Sequence, residues 1–63
     1  MQPDAAQLSS AVTALAELTQ RVCDLADRYA DGPREEVAAE LYEVERSLRA
    51  AGRRLERLVD RLG

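Results

Sequence analysis

Apolar residues recur along this chain in alternating steps of three and four, the spacing of an α-helix that buries a single stripe. The pattern runs twice. In the first stretch Leu8, Leu15, Val22 and Tyr29 hold one heptad position, and Ala11, Leu18 and Leu25 hold the other. In the second stretch Val37, Leu41, Val44, Leu48, Ala51, Leu55, Leu58 and Leu62 continue the alternation with no polar residue among them. A seam of this kind specifies helix packing and carries no chemistry of its own.

Asp31-Gly32-Pro33 separates the two stretches. Gly32 suits the left-handed conformation that ends many helices, and Pro33 suits the first turn of the next one. Glu35 and Glu36 then place negative charge where the second helix's dipole favours it. At the chain start, Asp4 followed three residues later by Gln7 reads as a capping box. The spacing predicts one helix over about 4–31, a turn at about 31–33 and a second helix over about 33–62. These form a single helical-hairpin domain spanning 1–63.

The expected fold class is all-α: an antiparallel, coiled-coil-like two-helix hairpin that dimerises into a four-helix bundle. Folding about Gly32 predicts the layers Leu8/Leu58, Ala11/Leu55, Leu15/Ala51, Leu18/Leu48, Val22/Val44, Leu25/Leu41 and Tyr29/Val37. Both seam alanines then face leucines, the large-against-small matching that fills a core. Arg28 faces Glu40 on one flank, together with Arg21 and Arg54. The other flank carries Ala5, Val12, Thr19 and Ala26 from the first helix and Ala38, Glu45, Gly52 and Val59 from the second, with Ser9, Ala16, Cys23 and Ala30 beside them. This small-residue stripe is the expected association surface, where another helix approaches closely.

Size makes association the expected outcome. Below about 70–80 residues a fold usually needs disulfides, a structural metal or oligomerisation. The chain has 63 residues, a single cysteine and no histidine. No intrachain disulfide can form, and no Cys/His metal site is available. The expected partners are a second copy, as a homodimer, or helices of a larger protein. Charge favours a head-to-tail dimer: residues 1–45 hold ten acidic residues against three arginines, and residues 46–63 hold six arginines against two acidic residues.

Composition narrows the function classes. The net charge of −3 argues against generic nucleic-acid binding by the whole chain. Met1-Gln2-Pro3-Asp4 lacks the basic and then apolar regions of a signal peptide, and no apolar run reaches a membrane span, so a soluble, cytoplasmic protein is expected. All nine basic residues are arginine. Arg46, Arg49, Arg53, Arg54, Arg57 and Arg61 cover one broad face of the second helix, which offers an alternative reading: a small regulator that binds DNA or an anionic nucleotide. Glu45, Glu56 and Asp60 sit among these arginines, and no aromatic residue is nearby to stack on a base.

Other candidate chemistry reads as structure. Glu35, Glu36, Glu40, Glu43 and Glu45 flank the seam and lack the histidine of a carboxylate-bridged metal site. Cys23 reads as a small apolar residue on the association stripe, and Tyr29 as the last core layer. Tyr42, off the seam, is the better candidate for a partner contact. The predicted core contains no titratable group for acid–base work, so neither catalysis nor a cofactor is expected.

Overall fold

The computed structural model describes residues 3–62. Met1, Gln2 and Gly63 lie outside the described residues, so the signal-peptide reading of the first two lies outside them too. Helix α1 spans Pro3–Ala30 and helix α2 spans Glu35–Leu62, each of 28 residues. The helices pack against each other as a hairpin. The chain measures 49 × 14 × 10 Å, a slab about one helix thick.

The helix ends differ from the sequence expectation in detail. Asp4 lies inside the first turn of α1 rather than before it, where its charge meets the positive end of the dipole. No described residue has positive φ, so Gly32 does not adopt the left-handed conformation. Instead its N–H donates to the Tyr29 carbonyl at 3.2 Å, a tight closing turn that satisfies one of the last orphan carbonyls. Helix α2 begins at Glu35, two residues after Pro33, and the Arg34 carbonyl accepts the Val37 N–H at 3.0 Å. Arg34 therefore occupies the capping position, and Glu35 and Glu36 form the first turn.

The larger difference lies in which stripe the helices share. Among the described residues the fully buried ones are Ala5, Thr19 and Ala26 on α1 and Ala38 on α2. They belong to the two heptad rows Ala5, Val12, Thr19, Ala26 and Ala38, Glu45, Gly52, Val59, whose remaining members are half-buried. Four members of the stripe expected to receive another chain, Ala5, Thr19, Ala26 and Ala38, are thus buried in the contact between the chain's own helices. A Cβ built on Gly52 would lie 3.7 Å from Leu15 Cδ2, showing how closely α1 approaches there.

The leucine rows border this contact instead of filling it. Leu8, Leu15 and Val22 on α1 and Leu41, Leu48 and Leu55 on α2 are half-buried, whereas Leu18, Leu25, Val44 and Leu58 are exposed. The large members of the predicted layers are therefore half-buried or exposed rather than enclosed. At about 100° per residue, the small row lies about 50° around each helix from the nearer leucine row and about 75° from the middle of the predicted seam. Small side chains allow close backbone approach, and every short residue at the contact lets a neighbouring leucine fold partly over the joint.

Two substitutions test the small-residue contact. Ala26→Leu forces bulk into a site with no space and is expected to lower unfolding stability by about 1–3 kcal/mol. Gly52→Ala meets only ordinary van der Waals contact and removes a flexible residue from a helix interior, so a gain of about 0.5–1 kcal/mol is expected. Urea denaturation followed by circular dichroism reads both changes.

Candidate association face

Helices α1 and α2 run in opposite directions, so positions three residues beyond a seam residue fall on the same side of the pair in both. Leu8, Leu15 and Val22 follow Ala5, Val12 and Thr19 by three, and Leu41, Leu48 and Leu55 follow Ala38, Glu45 and Gly52 by three. One face of the slab is therefore built from both leucine rows. Leu18, Leu25, Tyr29, Val44, Leu58 and Leu62 extend it outward and are 38–45% exposed. No large side chain among the described residues is fully buried.

The exposed area carries the same message. A compact monomer of 7.0 kDa exposes about 4,000 Å². This chain exposes 4807 Å². The difference, about 800 Å², is close to what one partner buries in a standard protein interface. A radius of gyration of 14.6 Å, against about 11 Å for a compact chain of this length, has the same origin in the elongated slab.

The opposite face is polar and internally committed. The Tyr42 hydroxyl donates to Asp27 Oδ1 at 2.6 Å, clasping α2 to α1 near the turn. The side chain expected to meet a partner thus spends its hydroxyl within the hairpin. That hydrogen bond, then partial burial and the Asp27 charge, push the Tyr42 phenol up to about 12. Glu45 sits in the seam row with its side chain 14% exposed, and Arg49 grips one carboxylate oxygen with Nη2 at 2.7 Å and Nε at 2.8 Å. Partial burial raises the Cys23 thiol above its ordinary value, aided by the nearby carboxylates of Glu45 and Asp27. A raised thiol is poorly suited to nucleophilic or redox work, and Cys23 behaves as a half-buried small residue. Thr19, the one buried polar residue described, satisfies its hydroxyl on the Leu15 carbonyl at 2.7 Å.

The other candidates are distributed as follows. Of the proposed stripe, Ala5, Thr19, Ala26 and Ala38 are buried, Val12, Cys23, Gly52 and Val59 are half-buried, and Ala16 is exposed on the polar side. Between them Gly52 opens a groove of about 360 Å³ walled by Val12, Ala16, Arg49 and Glu56. Of the arginine set, Arg46 pairs with Glu43 at 3.1 Å and Arg49 with Glu45. Arg53, Arg54, Arg57 and Arg61 are exposed and make no ion pair among the described residues. No helix is long and apolar enough to cross a membrane among the described residues. Sequence reasoning found every leucine of the exposed face but assigned those residues to the hairpin interior.

Compared with protein-family models, with curated proteins and with solved structures, the chain matches none of them.

The Tyr42–Asp27 clasp makes a pH prediction. Because the folded phenol titrates above its ordinary value near 10, its contribution to stability is complete below pH 10. That contribution is lost as pH rises from about 10 to about 12, where the unfolded phenol is ionised and the folded one is not. Absorbance of tyrosinate against pH is expected to show one late-titrating tyrosine, absent in Tyr42→Phe.

Proposed function

We propose that the chain is a non-enzymatic protein–protein interaction module, a small helical adaptor, regulatory subunit or assembly factor that acts through helix-bundle association. The leucine face supplies the contact, closing a four-helix bundle against a second helical hairpin. The observation that carries this reading is the rotation of the two helices. In a square four-helix bundle the central axis lies about 45° from the line joining neighbouring helices. Adjacent helices then touch through the flanks of their apolar stripes, and the stripes themselves point inward. In α1 and α2 the small residues lie at the mutual contact and the leucines lie to one common side, which supports this reading.

Energetics support the same reading. Seven large apolar side chains at 36–45% exposure form more than scattered surface residues, since six of them share a face. Burying apolar area contributes about 25 cal/mol per Å², so a cover over that face adds substantially to a fold that has only small residues at its centre. The alternative reading, an anionic ligand held by the arginine set, has less behind it. Arg46 and Arg49 are already paired, and no aromatic residue other than Tyr42 and Tyr29 exists in the chain.

Association through this face makes stability concentration-dependent. The thermal midpoint is expected to rise with protein concentration across the micromolar range and to lose that dependence in Leu18→Asp. A midpoint independent of concentration, unchanged by Leu18→Asp, would falsify the reading.

A further inference from the structure

We infer that the leucine face is covered by a second copy of this chain laid head to tail, with α2 stacked antiparallel on α2 of the partner copy. This inference rests on the interaction-module reading and adds the occupant and its orientation. Two face-to-face arrangements with twofold symmetry exist. When both turns lie at the same end, α1 stacks on the partner's α2. When the turns lie at opposite ends, each helix stacks on its own counterpart, running the other way.

Charge selects between them. In α2, residues 35–48 hold five glutamates against Arg46, a balance of −4, and residues 49–62 hold five arginines against Glu56 and Asp60, a balance of +3. Helix α1 is nearly even, with −1 in residues 3–16 and −1 in residues 17–30. The turn half of the hairpin is therefore acidic and the open half basic. With turns together, acidic half faces acidic half. Head to tail, the glutamate half of α2 faces the partner copy's arginine half, and the match occurs twice by symmetry.

The border of the leucine face agrees. Glu40, Ser47, Arg54 and Arg61 follow one another at heptad spacing along the outer edge of α2, two residues beyond the seam row. In a full head-to-tail overlap Glu40 comes level with the stretch between the partner's Arg54 and the partner's Arg61. The exposed state of Arg54 and Arg61, unpaired among the described residues, leaves both free for that contact.

Spin-label distances in the full chain test the arrangement. Cys23→Ser with Arg34→Cys places one nitroxide in the turn, at an exposed position. The head-to-tail pair predicts a separation of about 40 Å or more, set by helices of 28 residues at about 1.5 Å rise. A separation under about 20 Å overturns the orientation while leaving bundle closure through the leucine face intact. A monomer by sedimentation at micromolar concentration, with helicity retained, overturns self-association. In that case the midpoint is independent of concentration by necessity, and the interaction reading fails with it only if Leu18→Asp also leaves the midpoint unchanged. As a second readout, Arg54→Glu with Arg61→Glu is expected to weaken the dimer about tenfold, with recovery on adding Glu40→Arg. With turns together those arginines lie level with Ala14 and Gln7, and the recovery would be absent.

Discussion

The close contact between two rows of small residues governs the rest of this structure. Ala5, Thr19, Ala26 and Ala38 are the buried residues, and all four lie in the rows through which the two helices meet. Choosing that contact fixes the rotation of each helix, and the rotation fixes where the leucines go. They border the joint on one side, half-covered where they fold over it and open where they do not. The hairpin thus encloses only small residues, and its exposed large apolar side chains gather on one face.

Polar groups reinforce the sidedness. Glu45 lies in the same heptad row as Ala38 and Gly52, a position where an apolar residue would be expected, and Arg49 neutralises it from the next turn. Tyr42 and Asp27 close the same side near the turn. A half-buried ion pair contributes little net stability, because desolvation offsets the attraction. Its effect here is to make one face of the slab polar, so that the large exposed apolar side chains lie mainly on the other face.

Much of the fold was legible in the sequence. The heptad steps and the Asp31-Gly32-Pro33 break located two helices and their antiparallel path to within a few residues of Pro3–Ala30 and Glu35–Leu62. Periodicity also sorted the residues correctly into a leucine set and a small-residue set. What it could not assign was which set faces the other helix of the same chain. Both sets repeat every seven residues, so both satisfy a straight antiparallel pairing, and the larger apolar residues look like the obvious core. In a bundle of four, however, the inward direction and the neighbour direction differ. The informative signal was the row Ala5, Val12, Thr19 and Ala26 against Ala38 and Gly52, small throughout on α1 and interrupted on α2 by Glu45 and Val59. The Tyr42–Asp27 pairing was not legible either, since it joins positions 15 apart and leaves no local pattern.

A slab 10 Å thick has a consequence for its dynamics. Every backbone amide in it lies within one side chain of water, and no residue larger than threonine is fully enclosed. Deuterium uptake in an isolated hairpin would therefore run close to the rate of helix fraying, with little difference between the middle of α2 and its ends. Slow uptake concentrated along Leu41–Leu55 would then report the covering of that face rather than the folding of the chain itself.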